Sequence, residues 1–377
     1  MSLTDTILDA AHMRRVSSAM LVAVAFVVSS PAFAGMFVPP PPPATKTCPN
    51  GSVIYASDNC PPVAGVAQPG ATDATLTGAV INLGATIGSA IGGAFGGNTA
   101  TAASGVSRYA LTGQTGQAAA PGGAKWNVWG ALSRVNVGYS FQPLQSGGNA
   151  DLVLGGIDYS FSNSLVAGVA LTDERTRIST SFNGGNISGN GNTIAPYLGW
   201  RINNNWLLDA TLGFGTTKLN STDNSIAGGI TGSNKAERTM GSLGLAYNQG
   251  MGRWLLTGKG SLLTVESKMS SFTFSNGTFV NGSTTRTTQM RLGAQGAYNA
   301  GNVVPFMGLT YIYDIERANQ GALAGQNAAN DRDAWQVRAG LNFRSSGALY
   351  GGIVLSSDLG RSQVKNDQIL VNVGLRF

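Results

Sequence analysis

The sequence predicts an all-β fold, a twelve-stranded antiparallel transmembrane β-barrel formed by residues 125–377. Three observations predict it: segments in which apolar and polar residues alternate, an even number of such segments, and connections that alternate between long and short. Only 11% of the chain is charged, while 53 of its 377 residues are glycine. This composition is typical of strands with one apolar and one polar face, and it fits neither a soluble globule nor a helical membrane protein.

The alternation is clearest in the last segment. Its apolar face carries five residues, Ile369, Val371, Val373, Leu375 and Phe377. Its other face carries Asn372 and Arg376. Arginine and amide groups on the second face indicate a polar interior and an apolar exterior, the reverse of a soluble sandwich. The same reasoning predicts five further lumen-facing side chains, those of Lys259, Arg291, Gln295, Arg338 and Asn342.

Twelve segments alternate in this way, and a closed single-chain barrel needs an even number. They are residues 126–137, 150–161, 164–177, 192–202, 205–217, 235–248, 253–266, 285–298, 302–314, 333–344, 348–357 and 367–377. Strands of this length, tilted by roughly 40°, cross an apolar band of about 25 Å.

The connections between these segments alternate in length. The tight turns, such as 162–163 and 203–204, are flanked by aromatic residues that include Trp200, Trp206 and Trp254. Tight turns are periplasmic in outer-membrane barrels, and aromatic rings mark the membrane interface. We therefore predict that both ends of the barrel lie on the periplasmic rim.

Residues 1–34 are predicted to be a signal peptide. Residues 13–15 supply a positive n-region and residues 19–28 an apolar h-region, and translation is expected to start at Met13. The apolar run is too short for a membrane anchor helix. The predicted cleavage site is formed by Ala32, Ala34 and Gly35. We expect export through the Sec translocon.

The charge and the histidine content of the sequence exclude several classes of function. Signal removal takes away His12, the only histidine, which excludes Ser–His and Cys–His nucleophile pairs and histidine-ligated metals. The sequence also has no metal-binding, phosphate-binding or dinucleotide motif, so we predict no cofactor and no enzyme activity. The net charge of +6 favours contact with outer-membrane lipid and lipopolysaccharide, not with nucleic acid.

Residues 35–69 form a proline-rich segment that includes the uninterrupted run Pro39–Pro43. It contains the only two cysteines, Cys48 and Cys60, which bracket the strand-like residues Val53–Tyr55. In an oxidising compartment these cysteines are expected to form one disulfide.

Residues 70–124 are rich in glycine and alanine. Four glycines recur at a spacing of four, Gly84, Gly88, Gly92 and Gly96. As a helix, residues 77–97 would span about 30 Å and be slim enough to thread a narrow barrel. Glycine also lowers helix propensity, so a flexible linker fits the same residues.

Three motifs resemble the autotransporter-type translocator domain. They are Val128-Trp129-Gly130, the run Pro305–Tyr311 and the run Asn372–Phe377. The resemblance implies a twelve-stranded barrel in a Gram-negative outer membrane, with a linker helix in its lumen. It also implies that the β-barrel assembly machinery reads an insertion signal made of Val371, Val373, Leu375 and Phe377.

Two functions follow from these features. The first is a monomeric barrel of the translocator type that displays or houses its own short N-terminal segment. About 90 residues separate the signal peptide from the barrel, so any exported cargo is expected to be that segment. The alternative is a porin-like channel with a slightly cationic lumen that is plugged by the glycine-rich stretch.

Overall fold

The computed structural model describes residues 45–47, 53–55, 125–140, 145–181, 183–225, 227–318, 332–345, 349–361 and 364–377. Three predicted features lie outside these residues: the signal peptide with its cleavage site, the disulfide between Cys48 and Cys60, and the glycine series at 84, 88, 92 and 96. In the described part of the chain no helix is long and apolar enough to span a membrane.

A small unit of two short strands lies upstream of the barrel. Strand β1 (Thr45–Thr47) pairs antiparallel with β2 (Val53–Tyr55), and Thr45 stands opposite Tyr55. The second strand coincides with the strand-like residues of the sequence, whose β-branched and aromatic side chains favour extended backbone.

Twelve strands form one closed antiparallel barrel, as the sequence predicts. They are β3 (Trp126–Tyr139), β4 (Ser146–Ser160), β5 (Leu165–Thr180), β6 (Gly185–Arg201), β7 (Trp206–Asp223), β8 (Ile230–Met251), β9 (Trp254–Met269), β12 (Ser283–Tyr298), β13 (Val303–Ala318), β14 (Asp333–Arg344), β15 (Leu349–Leu359) and β16 (Val364–Arg376). A separate hairpin, β10 (Phe272–Thr273) with β11 (Phe279–Val280), lies in the connection from β9 to β12.

The barrel closes where β16 pairs with β3. The register runs from Val364 opposite Tyr139 to Arg376 opposite Asn127. One step further, the Trp126 N–H donates to the Phe377 carbonyl at 3.1 Å, and the Phe377 N–H donates to the Trp126 carbonyl at 3.0 Å. The last residue of the chain therefore takes part in the closure, and no open sheet edge remains at this seam.

The outer face is apolar over a broad band, as expected for a wall in contact with lipid. Met307 is 66% exposed and Leu132 is 60% exposed on this face. The outward side chains of β16 are the predicted apolar ones, and the inward side chains of that strand include Asn372 and Arg376. The predicted assignment of the two faces of this strand is confirmed.

Aromatic pairs ring the rim of the tight turns, which we call the short-turn rim. Trp126 packs on Tyr159 with ring centroids 4.8 Å apart, Trp206 on Tyr247 at 5.0 Å, and Trp254 on Tyr298 at 5.1 Å. In the tightest of these turns Gly252 has a φ of 59°, a conformation that suits glycine. Rings at this level bury most of their surface in lipid and keep one edge in water.

The strands reach further toward the opposite rim, the long-loop rim, than the sequence predicts. Strand β6 begins at Gly185 where residue 192 was predicted, β7 ends at Asp223 where 217 was predicted, and β8 begins at Ile230 where 235 was predicted. Beyond the apolar band the outward side chains are polar, and apolar side chains such as Ile187 and Leu219 point inward. The sense of the alternation is therefore the reverse of that in the lipid-facing part, while the backbone pairing continues. The predicted long loops were therefore too long.

Candidate functional site: the barrel interior

The lumen is lined by the inward faces of the twelve strands. All five side chains that the sequence assigns to it lie on the inner wall. Arg291, Gln295 and Asn342 are buried, as is the side chain of Lys259, and Arg338 is half-buried. Arg338 shares a register row with Gln295 across Gly308 of the strand between them.

A chain of hydrogen bonds lies inside the closure near the short-turn rim. The Tyr350 hydroxyl donates to Asn127 Oδ1 at 2.8 Å, and Asn127 Nδ2 donates to Asp158 Oδ2 at 2.9 Å. Tyr197 donates to the same carboxylate oxygen at 2.9 Å and accepts from Trp129 Nε1 at 2.9 Å. This closure network joins β3, β4, β6 and β15, so side chains reinforce the seam that the backbone closes.

Glycines give the rings of the closure network their space. A Cβ at Gly156 would overlap the Trp129 indole, and one at Gly374 would overlap the Tyr350 ring. The Arg376 guanidinium lies 5.2 Å from the centroid of that same ring. Part of the glycine content that the sequence displays therefore serves close packing of aromatic rings against neighbouring strands.

Two buried ion pairs cross the inner wall. Arg238 Nη1 of β8 lies 2.7 Å from Glu174 Oε2 of β5, a strand that is not its neighbour. Lys259 Nζ lies 2.7 Å from Asp209 Oδ2, and the pair passes over Gly244, where a Cβ would meet both side chains. Each charge in these two pairs thus has a partner of opposite sign, which offsets the cost of removing a charge from water.

A third polar cluster lies on the inner face of β12, β13 and the segment after β15. Gln289 Nε2 donates to Asp314 Oδ1 at 2.6 Å, and Arg361 Nη2 lies 2.9 Å from Asp314 Oδ2. Arg291 donates to Gln289 Oε1 through Nε and Nη2 at 3.2 and 3.1 Å. The predicted lumen residue Arg291 is therefore held by an amide that a carboxylate orients.

A neighbouring cluster holds the other predicted arginine. Arg338 Nη2 donates to Gln336 Oε1 at 3.0 Å, and Gln336 Nε2 donates to Asp358 Oδ1 at 2.9 Å. Asn366 Nδ2 donates to the second oxygen of Asp358 at 3.0 Å. Each of the two clusters thus contains a carboxylate in addition to its arginine.

Two asparagines lie on either side of Gly352 on the inner wall. Asn342 is 2% exposed, and neither its Nδ2 nor its Oδ1 has a hydrogen-bond partner in the described part of the chain. Asn372 Oδ1 is also unpaired there. A Cβ at Gly352 would meet the Oδ1 atoms of both side chains. The inner wall therefore presents amide groups with unused hydrogen-bonding capacity, which normally find a partner.

The lumen carries carboxylates as well as the cations that the sequence predicts. Glu174, Asp209, Asp314, Asp158 and Asp358 also point inward, and three of them form the ion pairs described above. These carboxylates occupy inward positions of the period-two pattern, so the alternation could have identified them. The basic residues stood out at the sequence level, and their acidic partners on other strands did not.

The inner wall carries charged side chains of both signs and neutral amides, together with a cluster of buried apolar side chains that includes Leu154, Val166 and Leu263. Among the described residues no cluster of histidine, cysteine and acidic side chains could hold a metal ion. A lining of this kind suits a polar or backbone-exposing occupant, because amide side chains both donate to and accept from a peptide group.

The comparisons with known proteins agree with this geometry. The family model for the autotransporter beta-domain matches residues 142–353, which is more than half of the chain. The fold is similar to the translocator domain of the autotransporter NalP from Neisseria meningitidis, with a TM-score of 0.60 and 16% identity over 68% of this chain and 90% of that chain.

Two further solved structures are similar. The beta domain of the Bordetella autotransporter BrkA has a TM-score of 0.57 and 15% identity over 67% of this chain and 100% of that one. The transport unit of AIDA-I from Escherichia coli has a TM-score of 0.50 and 10% identity over 77% and 98%. No curated protein sequence matches the chain. The chain belongs to the autotransporter family, and its barrel is an outer-membrane β-domain of the translocator type.

Proposed function

We propose that the barrel translocates and then houses its own upstream segment, residues 70–124, and displays the proline-rich segment before it. The observation that carries this proposal is the buried amide of Asn342, whose donor and acceptor are both unpaired among the described residues. A peptide in the lumen would satisfy both groups, since each backbone unit offers one N–H and one carbonyl.

The position where the barrel begins supports the same function. Strand β3 starts at Trp126 on the short-turn rim, which is the side from which we propose that the upstream segment enters the lumen. The stretch from Gly70 to Ala124 is nearly free of charge. A chain with few charged side chains has little to desolvate when it enters a confined lumen.

Disulfide crosslinking tests whether the segment occupies the lumen. Cys48 and Cys60 are replaced by serine, a cysteine is placed at Asn342, and a second cysteine is moved along residues 77–97. Leu341→Cys is the matched control, because Leu341 is the adjacent residue and is 52% exposed on the outer face. We expect oxidation to crosslink position 342 and not position 341. Crosslinking at neither position, or equally at both, contradicts lumen occupancy.

Protease accessibility tests display separately. A tag inserted after Gly35 is exposed to protease on intact cells and on cells with a permeabilised outer membrane. Display predicts cleavage in both samples, whereas cleavage only after permeabilisation places the segment in the periplasm. Intact barrel in both samples, detected by an antibody, provides the control.

The competing function is a pore that residues 70–124 plug. Lys259 is neutralised by Asp209 and Arg238 by Glu174, so a pore of this kind would prefer anions only weakly. Planar-bilayer conductance of the full chain is compared with that of a variant lacking residues 70–124. A large rise on deletion accompanied by selective solute uptake in cells would favour the pore, whereas a rise without uptake favours the translocator.

We also propose that the chain has no enzyme activity, because its only histidine lies in the predicted signal peptide and its inward carboxylates are held in ion pairs or amide hydrogen bonds. We propose further that the Sec translocon exports the chain and that the β-barrel assembly machinery inserts it into the outer membrane. The barrel would act as a monomer. The outward side chains of β16, Val371, Val373, Leu375 and Phe377, are all exposed and could serve as the insertion signal.

A further inference from the structure

A groove of about 810 Å³ lies on the outer wall of the barrel, across β4 to β8. Four outward apolar side chains line it, and each is exposed: Leu171, Ile194 and Phe214 on the side of the short-turn rim, and Val153 one row further from that rim. A volume of this size is within the range of small-molecule and lipid sites. Because these side chains point away from the lumen, the groove opens toward the membrane.

A proline interrupts the sheet beside this groove. Strands β6 and β7 are paired at residues Asn186–Ile194 and Tyr197–Arg201 of β6. Between these two stretches, Ala195 and Pro196 have no partner in β7. Proline lacks the N–H that a ladder hydrogen bond needs, so the two strands are not tied together at this point. The pairing resumes with Ile194 opposite Phe214, two of the residues that line the groove.

A row of cations lies on the long-loop side of the groove. Arg175 stands opposite Asn190, Asn190 opposite Lys218, and Lys218 opposite Lys235, so the four form one register row across β5 to β8. All four are exposed on the outer wall. Along its strand, Lys218 lies four residues, or roughly 13 Å, from Phe214 in the groove.

The two lysines of this row are an unfavourable pair. Lys218 and Lys235 are direct cross-strand partners, and like charges in that position destabilise a sheet. Neither forms an ion pair with a residue that the structure describes. On the next strands along the barrel, by contrast, Lys268 contacts Glu266, and Arg286 contacts both Glu266 and Glu316. Glu237 is two residues from Lys235 on the same face of β8, so these two lysines share one neighbouring carboxylate and can bind a further anion from outside the chain.

The residues between the groove and the cation row are polar. Asn192 stands opposite Thr216 in the middle, while Asp173 and Glu237 lie at the two sides. Asparagine and threonine can hydrogen-bond sugar hydroxyls and phosphate oxygens. The two carboxylates suit a divalent cation that also binds phosphate.

We propose that this groove and cation row bind the phosphorylated glycolipid of the outer leaflet, lipopolysaccharide. An acyl chain occupies the apolar groove, and a phosphate lies between Arg175 and the Lys218–Lys235 pair. The order of the elements supports this occupant over an inner-leaflet phospholipid, because the cations lie on the long-loop side, which is external in outer-membrane barrels. The aromatic pair Tyr311 and Trp335 does not contribute to the groove, because it lies on β13 and β14 and the groove lies across β4 to β8.

Binding of fluorescent lipid A to the purified full chain in detergent micelles tests the proposal. The variant is Lys218→Gln with Lys235→Gln, and the matched control is Arg286→Gln with Lys365→Gln, which removes two exposed cations from β12 and β16, strands that do not line the groove. We expect lipid A to bind the double variant at least about tenfold more weakly than the wild type, because each lysine near an anionic surface contributes to binding. The control should bind within about twofold of the wild type.

Specificity and folding are measured with the same samples. Dephosphorylated lipid A and phosphatidylglycerol are used as competitors, and heat-dependent gel migration establishes that each variant is folded. Competition by phosphatidylglycerol as strong as that by lipid A overturns the assignment to the glycolipid. Absence of saturable binding, or equal weakening in the variant and the control, overturns the site itself.

Discussion

The Tyr350 hydroxyl donates to Asn127 Oδ1 at 2.8 Å, and 223 positions of sequence separate the two residues. Strand β16 lies between their strands, so the bond bridges the last strand of the barrel and fastens its two ends on the inner side. Asp158 accepts from the same asparagine, which carries the network on to β4. The closure thus depends on side-chain polarity in addition to backbone pairing.

Tyr350→Phe should lower the free energy of unfolding by about 1–3 kcal/mol, because it leaves the buried Asn127 oxygen without its donor. Tyr313→Phe is the matched control, since Tyr313 is an outward residue of the wall. Guanidinium unfolding in detergent, followed by tryptophan fluorescence, measures both. Equal losses in the two variants would refute a stabilising role for the closure network.

Gly374→Ala should destabilise the barrel by about 1–3 kcal/mol, because the added Cβ overlaps the Tyr350 ring and forces it off its hydrogen bond. Gly155→Ala introduces the same methyl group on the outer wall, where a Cβ meets nothing within 4 Å. That control should be neutral or slightly stabilising, since glycine in a strand is costly. The interpretation fails if Gly374→Ala unfolds at the wild-type denaturant concentration.

Glu174→Gln should cost about 3–5 kcal/mol, because it leaves Arg238 buried without a counter-charge. Adding Arg238→Met should restore much of the loss, since the uncompensated charge is then gone. The outer pair Arg134 and Asp151, with 56% and 31% of the side chains exposed, provides the control cycle and should show a coupling below about 1 kcal/mol. Unfolding measurements on each cycle give the coupling energies, and equal values in both would contradict the buried role.

Phe377→Ala should reduce the amount of folded barrel in the outer membrane severalfold. Its backbone pairs with Trp126 in the wild type, and its side chain is 61% exposed, so the loss would come from recognition by the assembly machinery and not from the core. Leu359→Ala removes a similarly exposed residue from the other end of the neighbouring strand. Outer-membrane fractions, compared heated and unheated on a gel, measure assembly. Normal assembly of the Phe377→Ala variant would show that Phe377 is not part of the insertion signal.

Much of this fold could be predicted because each strand separates two solvents. Val371 and Val373 face lipid while Asn372 between them faces the lumen. A period of two in the sequence therefore shows directly which side chains lie on each face of the barrel wall. Prediction failed above the apolar band, at Gly185 and Ile230, because apolar side chains such as Ile187 point inward there and the outward ones are polar, the reverse of the pattern used to identify the strands.

The sequence by itself determined the strand number, the direction of each face in the last strand and the rim that carries both ends of the barrel. Alternation and turn length are local properties, so they can be read from consecutive residues of the sequence. Only the tertiary structure decided which charges meet: that Glu174 reaches Arg238 across two intervening strands, and that Lys218 stands beside Lys235. Those relationships depend on register between strands, and a one-residue shift in pairing would change every partner.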